Sequence, residues 1–314
     1  MKIAILDDYQ DEVRKLDCFS LLAGHEVQVF NQTYSEAELI SKLAEIEGLV
    51  LIRERTVISE NLLAQLPNLK VISQTGKVSN HIDVALCDKY QVKVLEGRGS
   101  PIAPAELCWA LMMSAYRHIP TYVENLRQGQ WQQSGSLGLG RTLNGKTLGI
   151  WGYGKIGQRM AQFAKTFGMQ VLVWGREPSR ELALSHGFMC AETKQAFFEN
   201  ADIVSLHLRL NEATKHCVSA EDLAIMKPDA MLVNISRAEL IEEGALFADM
   251  QANSSKQAVV DVYEQEPIIA DSEALLSLDN VLCSPHLGYV EQGSYQLYFK
   301  IAFENLITFN EGNS

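Results

Sequence analysis

Leu143–Gly157 reads LNGKTLGIWGYGKIG, and this stretch decides the fold. Thr147–Trp151 is an apolar run of strand length. The turn Gly152-Tyr153-Gly154-Lys155-Ile156-Gly157 follows, and a helical pattern continues to about Phe167. A second apolar run, Gln170–Trp174, begins where that helix stops. A lone G-x-G-x-x-G is a weak signal, but strand, glycine turn, helix and strand in this order are the context of dinucleotide binding. Gly152 permits the tight turn, Gly154 lets a pyrophosphate approach the backbone, and Gly157 lets helix and strand pack closely. The helix N-terminus adds free N–H groups and a partial positive charge. The bland alternative is a glycine turn with no ligand.

Strands are expected downstream at Asp202–His207, Ala230–Asn234, Gln257–Val262 and Val281–Ser284. With the two around the glycine turn they make six, alternating with helices, which matches a doubly wound nucleotide-binding fold. Upstream, Lys2–Leu6, Glu26–Phe30, Gly48–Arg53, Leu69–Gln74 and Val92–Leu95 form another series of strands. Ser35-Glu36-Ala37-Glu38 is a capping-box signature ahead of Leu39, Ile40, Leu43 and Ile46 on one helix face. Further helices are expected after Ser59 and near Val84–Tyr90. Near-continuous apolar strands alternating with helices imply parallel sheets covered on both faces. Glu96–Pro104 (EGRGSPIAP) is the best boundary, because its glycines and prolines break regular structure. One long helix is predicted from Pro104 to about Gln128, with Pro in its first turn. A Gly/Ser-rich loop, Gln133–Arg141, follows. Gly288–Ser314 reads as helical and lacks a sheet partner.

The chain has 314 residues, 47% hydrophobic and 21% charged, which fits two soluble globular domains. Its formal net charge of −12 argues against nucleic acid or an anionic membrane as the main partner. The N-terminus MKIAILDDYQ does not read as a signal peptide, and no apolar run approaches the ~18 residues of a membrane span. The six cysteines are scattered without a C-x-x-C pair, so neither a metal site nor a disulfide framework is expected, and a cytoplasmic location is.

Enzymes of this fold that use NAD usually carry Asp or Glu at the end of the second strand, about 20 residues past the glycines, to bind the ribose 2′-OH. Here that position is Gly175, and Arg176 follows. Without the carboxylate a 2′-phosphate is not repelled. Arg176, with Ser179 and Arg180, offers it charge-assisted hydrogen bonds. NADP is therefore favoured over NAD; the alternative leaves Arg176 solvated or stacked on adenine.

Three later segments sit at strand ends, where open α/β sheets bind ligands: LVNISRAELI (232–241), VDVYEQEP (260–267) and CSPHLG (283–288). Hydride transfer to a carbonyl needs a cation for the substrate carboxylate and carbonyl, and a guanidinium fork suits both. It needs an acid to protonate the forming alkoxide, and a histidine beside a carboxylate suits that. Arg237, His286 and Glu266 supply one of each. Singly, each has an ordinary structural explanation. Among the other histidines only His207 draws notice, at a strand end.

LNGKTLGIWGYGKIG, SLHLRLNEAT, MKPDAMLVNISRAELIEEGAL, VVDVYEQEP and SPHLGY, in that order, resemble the D-isomer-specific 2-hydroxyacid dehydrogenase family, which includes phosphoglycerate dehydrogenase and glyoxylate/hydroxypyruvate reductase. The resemblance covers nearly the whole chain. It implies two doubly wound parallel-sheet domains, a Rossmann cofactor domain (99–287) inserted into a flavodoxin-like substrate domain (1–98 plus 288–314). It implies a catalytic trio of Arg237, Glu266 and His286. Cofactor contacts are expected from Gly152, Tyr153, Gly154, Lys155, Ile156, Gly157, Gly175, Arg176, Arg180, His207, Ile235 and Asp261, the last toward the nicotinamide amide. QTGKVSNHI (74–82) resembles the substrate loop, so Gly76 and Lys77 should receive the substrate carboxylate, with Arg53, Arg237 and His286 beside it. The implied reaction moves a hydride between NAD(P)H and a small 2-oxo acid. Glyoxylate or hydroxypyruvate stands first and 3-phosphohydroxypyruvate second, with a dinucleotide-sensing corepressor as the non-enzymatic rival. The family usually dimerises through the cofactor domain, here the helix from Pro104 and the loop after Trp131. The family's extra regulatory domain is not expected. Gly175, Ala238, Arg209 and Tyr289 depart from the common pattern.

Overall fold

The computed structural model describes residues 1–268 and 272–312. The chain folds into two compact units, Met1–Ser100 with Val290–Ser314, and Pro101–Tyr289.

The first unit is built on five parallel strands: β1 (Lys2–Ile5), β2 (Glu26–Val29), β3 (Gly48–Leu51), β4 (Val71–Gln74) and β5 (Lys93–Glu96), in the order β2-β1-β3-β4-β5. The central strands β3 and β4 are buried along their whole length, as their unbroken apolar sequences require. Helix Glu36–Leu43 opens with the expected capping box. The Ser35 hydroxyl accepts from the Glu38 N–H, and the Glu38 carboxylate accepts from the Ser35 N–H at 2.8 Å. Leu39 and Leu43 thereby face Leu49, Leu51 and Ile72. The C-terminal helix Gln292–Gly312 packs on β4 and on Asp17–Leu22, with Phe19 edge-on to Phe303. It answers the unpartnered pattern from Gly288 onward; Asn313 and Ser314 lie outside the described residues.

The second unit has seven parallel strands: β6 (Thr147–Trp151), β7 (Gln170–Trp174), β8 (Met189–Cys190), β9 (Ile203–Leu206), β10 (Met231–Asn234), β11 (Gln257–Val260) and β12 (Val281–Cys283). Their order is β12-β11-β10-β9-β6-β7-β8, reversing between β6 and β9 as in a dinucleotide-binding sheet. Leu148, Ile150, Val173, Val233 and Val259 are fully or almost fully buried, each worth about 1.5–3 kcal/mol of transfer free energy. β8 was not foreseen, since two residues at a sheet edge carry no periodicity.

The predicted long helix is two. Ile102–Tyr116 ends at Arg117, His118 takes a left-handed conformation (φ 53°), and Ile119–Arg127 starts anew. Pro120 explains the break. It has no N–H to offer Tyr116, and its ring clashes with that carbonyl in a continuous helix. The Tyr116 carbonyl accepts from the Arg141 N–H at 2.8 Å instead.

Candidate active site

The glycine turn is shaped by contacts that leave no room for side chains. Gly152 has φ 101°, and a Cβ there would lie 2.5 Å from the His207 carbonyl oxygen. A Cβ on Gly157 would lie 2.3 Å from the Gly152 carbonyl oxygen. At Gly154 a Cβ would meet nothing within 4 Å, so the space over the N-terminus of helix Lys155–Thr166 is open. Lys155 is exposed there and Ile156 leans on the core. Tyr153 is buried, with its hydroxyl 3.0 Å from His186 Nδ1, and Ile235 is buried in the same core.

The end of β7 carries the second half of a dinucleotide cradle. Gly175 has φ 152°, with Ser179 beside it. Arg176 is exposed at the N-cap of helix Glu177–Ser185. Arg180 lies over the Trp174 ring at 5.3 Å, and its buried Nε has no hydrogen-bond partner among the described residues. A buried guanidinium nitrogen without a partner is costly unless a ligand acceptor satisfies it. Open space above glycines at a helix N-terminus and an unsatisfied cation one strand away together fit an adenine dinucleotide.

Arg237, Glu266 and His286 follow three neighbouring strands, β10, β11 and β12. His286 and Glu266 are brought together, with Nδ1 2.6 Å from Oε2. Nδ1 is thus engaged by the carboxylate. The second Glu266 oxygen accepts from the Tyr263 N–H at 3.0 Å, so the carboxylate is held at both ends. Arg237 is half-buried. Its guanidinium donates to the Ser236 carbonyl, and its own carbonyl accepts from Asn234 Nδ2.

Asp261 does more than the sequence indicated. It is fully buried; Oδ1 accepts from the Ser284 hydroxyl and from the Leu287 N–H at 2.8 Å, and Oδ2 accepts from the Gly288 N–H at 2.9 Å. Burial pushes its carboxyl up from the usual range, against the hydrogen bond from Ser284. The carboxylate therefore clamps the segment carrying His286, which itself sits at φ 52°, unfavourable for a non-glycine residue. Tyr263 adds a bond from its hydroxyl to the Ser284 carbonyl at 3.0 Å. Tyr289, noted only as a departure from the family pattern, packs edge-on against the His286 ring with centroids 5.3 Å apart.

His207 bonds Ser205 Oγ through Nε2 at 2.9 Å, and its buried Nδ1 has no partner among the described residues. Burial pushes its pKa down to about 4, so the ring is neutral at neutral pH.

In the first unit, Arg53 and Gly76 are neighbours: a Cβ on Gly76 would collide with the Arg53 guanidinium. Arg53 has φ 54° and lies 6.0 Å from the Tyr298 ring centroid, a contact from the C-terminal helix that the sequence did not reveal. Lys77 reaches Glu96 at 2.5 Å and is largely exposed. Among the described residues no group of three or more His, Cys, Asp or Glu could hold a metal ion, and no helix is long and apolar enough to cross a membrane.

Residues 109–288 match the family described as D-isomer specific 2-hydroxyacid dehydrogenase, NAD binding domain. The crystal structure of a phosphoglycerate oxidoreductase from Vibrio cholerae is 63% identical, covers 99% of both chains and superposes with a TM-score of 0.98. A hydroxypyruvate reductase of Thermotoga maritima is 33% identical over 85% of this chain and 86% of that protein. A D-3-phosphoglycerate dehydrogenase of Methanocaldococcus jannaschii is 34% identical over 92% of this chain, which spans about half of that relative's length (53%). With its ordered motifs, its two parallel sheets and these matches, the chain belongs to the D-isomer-specific 2-hydroxyacid dehydrogenase family.

Proposed function

We propose that the protein reduces small 2-oxo acids to D-2-hydroxy acids with a nicotinamide dinucleotide, glyoxylate or hydroxypyruvate being the first substrates to test. The observation that carries this reading is the 2.6 Å bond between His286 Nδ1 and Glu266 Oε2, which leaves Nε2 to deliver a proton. When bound, the dinucleotide supplies the hydride. Arg237 holds the substrate carboxylate and polarises the carbonyl, as a guanidinium fork does. His286 protonates the oxygen as negative charge develops, while Glu266 orients the ring and balances its charge. Arg53 and the backbone of Gly76 and Lys77 serve the substrate carboxylate from the first unit, which we assign as the substrate domain. The glycine turn, His207 and Ile235 serve the cofactor from the second.

NADP is favoured over NAD because Gly175 offers no carboxylate and Arg180 Nε lacks a partner among the described residues. A second reading of the substrate, 3-phosphohydroxypyruvate, is favoured by the names of the Vibrio cholerae and Methanocaldococcus relatives. We assign a homodimer built through the second unit. Ile119, Val123 and Leu126 repeat at i, i+4 and i+7 on a helix with no buried residue, and all three are exposed. Trp131 (73% exposed) and Leu139 (88%), in the segment that follows, are exposed as well. Six unpaired cysteines suit a reducing, cytoplasmic setting.

The test is a panel of 2-oxo acids, including 3-phosphohydroxypyruvate, assayed with NADPH and NADH by nicotinamide absorbance, for the parent and His286→Ala. The parent should turn over at least one 2-oxo acid, and the variant should lose about 10²–10⁴-fold in kcat while still binding dinucleotide. Equal turnover in both proteins sinks the assignment of His286, and no turnover of any acid sinks the enzyme.

A further inference from the structure

The loops after β1, β2 and β3 of the first unit line a solvent-open cavity of about 190 Å³, and none of its lining residues has a role in the reaction proposed above. The strand order β2-β1-β3-β4-β5 reverses between β1 and β3, and open α/β sheets place ligands outside the carboxyl ends of strands at such a reversal. Its lining combines the apolar Leu6, Leu39 and Leu62 with the ionisable Asp7, Glu36 and Arg55.

The polar part of the lining is tightly constructed. Asp7 is buried at φ 61°, a conformation a non-glycine residue holds only when its surroundings enforce it. Its Oδ2 accepts from the Thr56 hydroxyl at 2.6 Å and its Oδ1 from the Thr33 hydroxyl at 3.2 Å. Arg55 donates to the Asp7 carbonyl at 2.7 Å and lies over the Tyr9 ring at 4.4 Å, which fixes the guanidinium. Glu36 accepts from Ser59 and Asn61, both at 2.5 Å, and these bonds hold its carboxyl below the usual range, so it is ionised.

One guanidinium, the exposed ionised carboxylate of Glu36 and the buried Asp7 carboxyl, which burial pushes up from the usual range, thus line a single small space. A simple anion there meets Glu36, and a simple cation meets Arg55. A molecule carrying both charges on adjacent carbons satisfies both. A cavity of about 150 Å³ takes benzene, so this one has room for a branched aliphatic group as well as part of a headgroup. We propose that the cavity binds an aliphatic α-amino acid of valine or leucine size. Its carboxylate sits on Arg55, its ammonium on the Glu36 side, and its side chain against Leu6, Leu39 and Leu62. This site is independent of the reductase assignment.

The test titrates the whole chain with L-leucine by calorimetry and ligand-observed NMR, with 3-methylbutanoate and 3-methylbutylamine as single-charge analogues. Leucine should bind saturably and each analogue about tenfold or more weakly. Arg55→Gln should weaken leucine by about tenfold and Arg55→Lys by much less, because it keeps the cation. Glu36→Gln should weaken leucine and strengthen 3-methylbutanoate, whose repelling carboxylate is gone, so that the two affinities converge. Equal affinity for all three probes overturns the proposal. So does leucine binding that Arg55→Gln leaves intact, or no saturable binding by folded parent at roughly 20 mM, a range that includes weak ligands of this size. Should Arg55→Gln fail to unfold cooperatively, Glu36→Gln decides alone: an undiminished preference for leucine over 3-methylbutanoate refutes the site.

Discussion

Glu266→Gln is the sharpest probe of the proton donor, because it is nearly isosteric and acts through one contact. Glu266 brings two acceptor oxygens to two donors, His286 Nδ1 at 2.6 Å and the Tyr263 N–H at 3.0 Å. Glutamine brings one acceptor and one amide NH₂. If its oxygen stays with Tyr263, the NH₂ faces Nδ1 and opposes a proton there. If the oxygen turns to His286, the Tyr263 N–H is left facing a donor. The side chains of His286 and Glu266 are only 19% and 26% exposed, so screening takes little from the interaction. A hydrogen bond to a charged partner contributes about 1.5–3 kcal/mol. At about 1.36 kcal/mol per decade, kcat should fall by roughly tenfold to 150-fold. The assay is steady-state reduction at saturating 2-oxo acid, with dinucleotide affinity measured separately by fluorescence. That affinity should stay at the parent value, since the glycine turn is built without Glu266. A kcat within about twofold of the parent, in a variant that folds normally, would refute the idea that this carboxylate works through the imidazole.

Arg180→Ala should weaken NADPH by about tenfold or more and NADH by much less, read as dissociation constants; equal losses would place Arg180 under the adenine instead of at a 2′-phosphate. His207 gives a pH signature. Its folded pKa, near 4, lies below the ordinary 6.5, so its stabilisation is complete above about 6.5 and is lost as pH falls toward 4. That amounts to at most about 3 kcal/mol, and His207→Asn should flatten this part of a denaturant-unfolding series run from pH 7 to 4. A slope unchanged in the variant would assign the acid sensitivity to other groups. Val123→Asp with Leu126→Asp should halve the mass seen by sedimentation equilibrium, whereas a parent that is already monomeric removes the proposed interface.

The layered alternation and the glycine turn were legible because strand periodicity, a capping box at Ser35 and a G-x-G-x-x-G after an apolar run are all local signals. The pairing of residues 266 and 286 could be inferred only from the order of motifs; their chain separation hides it from any window. The clamp formed by Asp261 was hidden for a different reason. Its partners are two backbone N–H groups and a serine hydroxyl, and their direction depends on His286 adopting a left-handed backbone that no residue preference announces. The break at His118 was missed because the apolar pattern runs on through it, although Pro120 was the available clue. The Arg53–Tyr298 contact joins a loop to a helix more than two hundred residues later, beyond the reach of composition or spacing.

Gly175 has a consequence for how readily this lineage can change its redox currency. At φ 152° the position suits glycine, and any L side chain there carries strain of about 1–3 kcal/mol even though a Cβ would make only ordinary contacts, 3.8 Å from the Ser179 Cβ. An aspartate at this position therefore works against the backbone before any ribose is met, and the turn would have to reshape to hold it.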